Sequence, residues 1–153
     1  MNKRLENKRA LVTGGGRGIG AAIVKRLARE GANVALTYLG NTDKANETVK
    51  AAQALGVRAL PIQADSANAE ALIAAVERTV GELGGIDILV NNAGIAVVAQ
   101  IDNYRLEDFD RILAVNVRAV FVATQAAVKH MQPGGRVINV GSCNAERAYP
   151  IQV

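Results

Sequence analysis

The chain has 153 residues, enough for one domain with a core of its own. Half of the residues are apolar and 3% are aromatic, so the core is expected to consist of Val, Ile, Leu and Ala, as in parallel strands covered by helices on both faces. The formal charge is +4, but Lys and Arg are scattered singly among Asp and Glu. Without a basic stripe or interleaved aromatics, a nucleic-acid-binding protein is disfavoured.

The single cysteine, Cys143, excludes an internal disulfide and a cysteine-cluster metal site, and it fits a reducing compartment. The first residues are charged, and no apolar segment of a signal peptide follows them. No uninterrupted apolar run approaches the length of a membrane span. We therefore expect a cytoplasmic protein with no metal, no nucleic-acid partner and no membrane association.

Strand and helix patterns alternate strictly along the chain. The predicted strands are Arg9–Thr13, Asn33–Tyr38, Arg58–Gln63, Ile86–Asn91 and Arg136–Val140, and the predicted helices are Ile19–Glu30, Thr42–Leu55, Ala67–Leu83 and Tyr104–Met131. Thr42 is the expected N-cap of the second helix. This order predicts right-handed crossovers and an α/β fold, a Rossmann-type doubly wound parallel sheet with helices on both faces, truncated after the fifth strand.

A glycine-rich turn, Thr13–Gly20, joins the first strand to the first helix. Such a turn lets the backbone approach a ligand and directs unpaired helix N–H groups at it, which suits a phosphate. Ala21 and Ala22 follow the turn where a Walker A loop requires Lys and Ser or Thr, which argues against phosphoryl transfer. The turn contains the spacing G-x-x-x-G-x-G, whereas the strict G-x-G-x-x-G is absent. A tight turn without a ligand is the alternative interpretation.

Ligands in such a sheet bind beyond the carboxyl ends of the strands. Small polar residues and glycines fall at four of these ends: the glycine turn, Asp65, Asn91–Gly94 and Ser142. Asp65 is suited to accept a hydrogen bond from an adenine amino group, or equally to cap the next helix. The alternatives for Asn91–Gly94 and Ser142 are a strand-end turn and a turn cap.

These motifs give the chain a resemblance to the short-chain dehydrogenase/reductase family, from Lys8 to about Asn144. The matching segments are Thr-Gly-x-x-x-Gly-Ile-Gly at Thr13–Gly20, Asn-Asn-Ala-Gly at Asn91–Gly94, Val115-Asn116-Val117 and Asn139-Val140-Gly141-Ser142. The second strand and helix, with Tyr38-Leu39-Gly40 and Lys44-Ala45-Asn46-Glu47, are most similar to 3-oxoacyl-carrier-protein reductases and related ketoreductases. The resemblance implies hydride transfer between NAD(P) and a carbonyl or alcohol carbon, with residues 1–153 forming a single NAD(P)-binding domain.

The resemblance also implies the site residues. Twelve are expected to bind the cofactor: Gly14, Gly16, Arg17, Gly18, Ile19, Gly20, Tyr38, Asp65, Ser66, Asn92, Ala93 and Gly94. Ser142 would hold the substrate carbonyl oxygen and stabilise the charge that develops on it. Asn116 would kink its helix and hold a water of a proton relay. From the residues alone, Asn116 is a mid-helix amide among apolar neighbours that needs partners if buried, and a core polar residue satisfied internally is its alternative.

The second strand ends in Thr37-Tyr38-Leu39, without the carboxylate that binds the ribose hydroxyls of NAD. Arg17 carries a fork suited to a phosphate, although it could also be solvated. We therefore expect NADP(H) in preference to NAD(H). The resemblance implies a small-molecule or acyl-carrier-linked carbonyl substrate, and a homodimer or homotetramer when the subunit is complete, with the long helix in the interface.

The family's acid–base pair, Tyr-x-x-x-Lys, does not occur in these residues. Tyr38, Tyr104 and Tyr149 are followed four positions later by Thr42, Asp108 and Val153. In the family this tyrosine follows the serine closely, and here it would fall just past Val153. We expect these residues to be the N-terminal part of a longer enzyme and inactive alone. A dinucleotide-binding module without catalytic activity is the main alternative, and a nucleic-acid-binding domain ranks last.

Overall fold

The computed structural model of the chain describes residues 3–143. Five parallel strands form one sheet in the order β3-β2-β1-β4-β5. The strands are β1 Arg9–Val12, β2 Asn33–Tyr38, β3 Ala59–Gln63, β4 Ile88–Asn91 and β5 Arg136–Asn139, and the helices are α1 Gly18–Arg29, α2 Thr42–Gln53, α3 Ala69–Leu83, α4 Leu106–Leu113 and α5 Ala119–Val128. The predicted doubly wound Rossmann-type fold is confirmed, with its switch point between β1 and β4.

Two apolar clusters sandwich the sheet. In β1, Ala10 and Val12 belong to the cluster that includes Val24 of α1, whereas Leu11 belongs to the cluster that includes Val76 of α3 and Ala123 of α5. This alternation follows from the two-residue period of a strand. Because both faces are covered, β1 is apolar from Ala10 to Val12, as the composition predicted.

The helices α2 and α3 begin with asparagine caps that the sequence analysis did not identify. The Asn41 Oδ1 accepts a hydrogen bond from the Lys44 backbone N–H at 3.0 Å, so Thr42 is the first helical residue and the prediction that it caps α2 was wrong. The Asn68 Oδ1 accepts from the Ala71 N–H at 2.9 Å, so α3 starts at Ala69 rather than at Ala67. Either asparagine satisfies a donor of the first turn.

The predicted single helix Tyr104–Met131 is Leu106–Val128 in the structure, and its middle is not α-helical. Residues Ala114–Arg118 form a π-helical segment between α4 and α5. The helix meets the length and composition of a membrane span, which the sequence analysis did not expect. Its α5 part packs against α3 and β4, so in this fold it is an outer layer of the domain.

A partly buried ion pair joins β1 to the chain before β4 at the amino ends of the strands, opposite the predicted site. The Arg9 Nε donates to the Asp87 Oδ2 at 2.7 Å, and the Arg9 backbone N–H donates to the same oxygen at 2.9 Å. These hydrogen bonds lower the pKa of Asp87 below its ordinary value, against the opposing effect of burial. The pair therefore stabilises the sheet through the ionised carboxylate.

Candidate functional site

A cleft of about 840 Å³ opens at the carboxyl ends of β1, β2, β3 and β4. Its volume is within the range of small-molecule sites. All twelve residues predicted to bind a cofactor line it. Nine further residues line it that the sequence analysis did not assign: Thr37, Leu39, Gly40, Asn41, Lys44, Ala64, Ile95, Arg111 and Val115. The structure thus brings the separate motifs together at the switch point.

The glycine turn is folded tightly onto β2. The Gly14 N–H donates to the Thr37 Oγ1 at 3.0 Å, and the Gly15 N–H donates to the Thr37 carbonyl oxygen at 2.9 Å. A Cβ on Gly15 would lie 2.6 Å from the Leu36 Cβ, so only glycine fits there. Gly18 differs, because its φ of +53° favours glycine while nothing lies within 4 Å of where a Cβ would stand. Gly18 is therefore the part of the turn that is open to the cleft.

The first turn of α1 has the character of an anion site. Arg17 occupies the N-cap position, and among the described residues no side chain caps this helix, in contrast to α2 and α3. The first turn holds no acidic residue that would compete for the N–H groups. Its free N–H groups and the positive end of the helix dipole face the cleft beside the exposed guanidinium of Arg17. These residues fit the phosphates of a dinucleotide.

The Asn-Asn-Ala-Gly segment is bonded to the glycine turn. The Thr13 Oγ1 accepts the backbone N–H groups of Asn92 and Ala93, both at 3.0 Å. In return the Asn92 Nδ2 donates to the Thr13 and Gly14 carbonyl oxygens at 3.0 and 3.2 Å. The amide nitrogen of Asn92 is thus committed to holding two loops together, and Ala93 and Gly94 present small surfaces to the cleft.

A second asparagine ties β4 to β5. Asn91 is buried, and its Nδ2 donates to the Asn139 Oδ1 at 2.9 Å and to the Thr124 Oγ1 at 3.2 Å. Ser142 follows β5 and is exposed, but it is not among the described residues that line the cleft. Asn144, at the end of the resemblance, and Tyr149 with Val153 lie outside the described residues.

Asp65 is held by a turn and by an arginine. Its Oδ1 accepts from the Ala67 backbone N–H at 2.8 Å, just before α3, whose cap is Asn68. Its carboxylate also faces Arg111 of α4, with N–O distances of 3.2 to 3.3 Å. The interpretation of Asp65 as the cap of α3 is therefore wrong, whereas the adenine interpretation stays a prediction for a residue that lines the cleft.

Asn116 lies within the π-helical segment and makes two hydrogen bonds to one residue. Its Nδ2 donates to the Ile95 carbonyl oxygen at 2.8 Å, and its Oδ1 accepts the Ile95 N–H at 2.9 Å. The side chain is exposed, so Asn116 is not the core polar residue that was the alternative interpretation. Asn116 is not among the described residues lining the cleft, but it fixes the position of Ile95, which is.

The charge of the cleft is mostly positive. Arg17, Lys44 and Arg111 line it, and Asp65 is the only acidic residue among the described residues that do so. Lys44 stands in the first turn of α2, shortly after the end of β2. The sequence analysis considered only the strand end and therefore did not assign Lys44 to the site. Such a charge distribution favours a polyanionic ligand. Within residues 3–143 no group of three or more His, Cys, Asp or Glu side chains could hold a metal ion.

Comparisons with known proteins agree with this geometry. Residues 8–153 match the sequence profile of the short chain dehydrogenase family. An uncharacterized oxidoreductase of Methylorubrum extorquens is 44% identical over 96% of this chain and 59% of its own length. Hydroxynaphthalene reductase of Aspergillus fumigatus is 42% identical over 95% of this chain and 54% of its own. The chain thus spans little more than half the length of these relatives.

Solved structures repeat the fold closely. A short chain dehydrogenase from Burkholderia cenocepacia in complex with NADP superposes with a TM-score of 0.95 and 54% identity, over 97% of this chain and 60% of that one. A blue fluorescent protein from a metagenomic library in complex with NADPH gives a TM-score of 0.95 and 49% identity, over 98% and 62%. The chain belongs to the short-chain dehydrogenase family, and its fold is the Rossmann-type fold of that family.

Proposed function

We propose that this protein is an NADP(H)-dependent oxidoreductase of the ketoreductase type, which transfers a hydride between the nicotinamide and a carbonyl or alcohol carbon. The observation that carries the proposal is the cleft at the switch point, where twelve motif residues surround the open first turn of α1. Its substrate is a small-molecule or acyl-carrier-linked carbonyl compound, in keeping with the similarity to 3-oxoacyl-carrier-protein reductases.

Different residues of the cleft would bind different parts of the dinucleotide. The backbone N–H groups at Gly18 and Ile19 would hold the phosphates, and Asp65 would accept the adenine amino group. Ala93 and Gly94 leave room for the flat ligand beside the loop that Asn92 fixes. When bound, the dinucleotide supplies or accepts the hydride.

The catalytic roles fall on two residues outside the lining of the cleft. Ser142 holds the substrate oxygen and stabilises its developing charge. Asn116, which anchors Ile95 through both atoms of its amide, orders a water for proton transfer. The Tyr-x-x-x-Lys pair is absent from these 153 residues, so the activity is proposed for the protein expressed from its complete gene, in which residues 1–153 form one NAD(P)-binding domain.

The preference for NADP(H) over NAD(H) rests on charge at the end of β2. Tyr38 and Leu39 offer no carboxylate there, and Arg17 and Lys44 both line the cleft. A 2′-phosphate placed between them would meet two cations and the amino end of α2. The structural relatives in complex with NADP and NADPH support a nicotinamide dinucleotide as the cofactor.

A homodimer or homotetramer in the cytoplasm is the proposed state of the complete protein. Large apolar side chains are exposed along one helix at intervals of three to four residues: Leu106, Phe109, Leu113, Val117 and Phe121. An apolar face of this size is typical of a protein interface. A second copy of the same helix is the proposed occupant.

A non-catalytic dinucleotide-binding module is the second candidate, since the described residues form a cleft that fits a dinucleotide. We would titrate the protein from the complete gene with NADPH and then follow NADPH oxidation with a panel of ketones. We expect Ser142→Ala to lower turnover about 100-fold with little change in NADPH affinity, and Cys143→Ala beside it to leave turnover unchanged. Binding without oxidation would select the module, and absence of binding would reject both candidates.

A further inference from the structure

One arginine of the long helix reaches across the cleft to the loop that follows β3. Arg111 in α4 places its Nη1 3.3 Å from the Asp65 Oδ2 and its Nη2 3.3 and 3.2 Å from Oδ1 and Oδ2. Arg111 and Asp65 are separated by 46 positions in the sequence, and both line the cleft. The pair therefore joins two walls of the same site.

The same loop is held at a second point. The Arg118 Nη2, at the end of the π-helical segment, donates to the Ala67 carbonyl oxygen at 2.8 Å. The Ala67 N–H in turn donates to the Asp65 Oδ1 at 2.8 Å. Arg118 thus fixes the backbone of the loop, which leaves Arg111 to fix the direction of the Asp65 side chain.

The Arg111–Asp65 ion pair is weak as a stabilising contact, which points to a role other than stabilising the fold. The two side chains are 45% and 34% exposed, and an ion pair this exposed contributes little to folding. Its N–O distances are also longer than those of strong charge-assisted hydrogen bonds. The fork of Arg111 supplies a fixed orientation for a carboxylate at the edge of the cleft. It also neutralises Asp65, which is the single acidic residue among the described residues that line the cleft.

We propose that Arg111 is a positioning residue for cofactor recognition, which holds the Asp65 carboxylate in the orientation that accepts the 6-amino group of the adenine. The proposal rests on the proposed function, because it assumes that the cleft binds an adenine dinucleotide. Without Arg111, only the Ala67 N–H would hold the Asp65 carboxylate, at one oxygen, and Asp65 would carry a negative charge without a cationic partner beside a polyanionic ligand. Arg111 acts on binding alone and takes no part in the reaction.

Three ligands separate this role from a general effect on the fold. NADPH carries the 6-amino group, its hypoxanthine analogue carries an oxygen at that position, and reduced nicotinamide mononucleotide has no adenosine at all. In the protein from the complete gene, Arg111→Ala should weaken NADPH about tenfold and should abolish most of the preference for adenine over hypoxanthine. Affinity for the mononucleotide should not change.

The effect should also depend on Asp65. In an Asp65→Ala background, Arg111→Ala should change NADPH affinity less than about twofold, since contacting residues are coupled and independent ones are additive. Arg111→Lys should restore part of the affinity. Arg105→Ala, which breaks the exposed pair of Arg105 with Glu107 outside the cleft, is the matched control and should have no effect. With turnover measured, the KM for NADPH should rise while kcat stays constant.

The outcomes distinguish a failure of the role proposed for Arg111 from a failure of the proposed function. If the unsubstituted protein binds NADPH and Arg111→Ala retains the full preference for adenine, the role of Arg111 is rejected while the proposed function stands. If Arg111→Ala weakens the mononucleotide as much as NADPH, the arginine supports the fold of the site and the proposal is also rejected. If the unsubstituted protein binds none of the three ligands, the proposed function itself fails.

Discussion

Gly20 and Gly81 are both helical glycines, and the structure predicts opposite effects of replacing them with alanine. Gly20 lies near the start of α1 and is buried, whereas Gly81 lies in α3 and is exposed. A Cβ on Gly20 would overlap the Gly14 carbonyl oxygen and lie 2.6 Å from the Asn92 Nδ2, but a Cβ on Gly81 would have nothing within 4 Å. Composition and helix propensity alone would rank the two sites equally.

The magnitudes follow from these contacts. Alanine is a better helix former than glycine by about 1 kcal/mol, and Gly81→Ala should gain most of that. At Gly20 the same gain is outweighed, because the turn must move away from α1. That movement disrupts the hydrogen bonds from the Asn92 Nδ2 to the Thr13 and Gly14 oxygens, at about 1 kcal/mol each, and adds about 1–3 kcal/mol of overpacking. Gly20→Ala should therefore lose about 2–4 kcal/mol net.

Urea unfolding followed by circular dichroism measures both free energies of unfolding in the same buffer. We expect the two variants to differ by about 3–5 kcal/mol, with Gly81→Ala above the unsubstituted protein and Gly20→Ala below it. If Gly20→Ala were as stable as the unsubstituted protein, the start of α1 would be able to move without cost. The inference that the tight contact between the glycine turn and the Asn92 loop fixes the start of α1 would then be wrong.

Two further predictions concern charge. Arg17→Ala and Lys44→Ala should each raise the Kd for NADPH about tenfold and leave the Kd for NADH nearly unchanged. Lys50→Ala, at the far end of α2, is the control. Equal weakening of both cofactors would contradict the assignment of these residues to the 2′-phosphate. The pKa of Asp87 is lowered from 3.8 by hydrogen bonding to Arg9, so its contribution to stability is present above that pH and is lost as pH falls through the lower folded value. In urea titrations across acidic pH, Asp87→Asn should therefore flatten the acid decline in stability, and an unchanged decline would rule this pair out as its source.

The fold and the place of the cleft could be predicted because their signals are local. The glycine turn, the alternation of strand and helix, and the polar residues after each strand are all readable within short windows. A parallel sheet then brings its carboxyl ends together without further information. The first residue of a helix was harder to predict, since Asn41 and Thr42 are adjacent and both residue types cap helices well.

Long-range contacts account for what the sequence did not show. Nothing near Arg111 indicates that it reaches Asp65, and nothing near Asn116 indicates that its amide is exposed and bonded to Ile95. The resemblance implied a kink at Asn116, but nothing in the sequence of Ala114–Arg118 shows that the segment is π-helical. Such features depend on where two distant elements pack, and local propensity does not contain that information.

The motif residues fall into two physical groups, and the distinction changes how their variants should be interpreted. Thr13, Gly20 and Asn92 hold the strand-end loops together, since their hydrogen bonds and close contacts are made within the protein. Gly18 and Arg17 are open to the cleft and have little part in that framework. Substitutions in the first group should reduce stability and binding together, whereas substitutions in the second should reduce binding alone. A loss of cofactor affinity therefore identifies a contact residue only where the free energy of unfolding is unchanged.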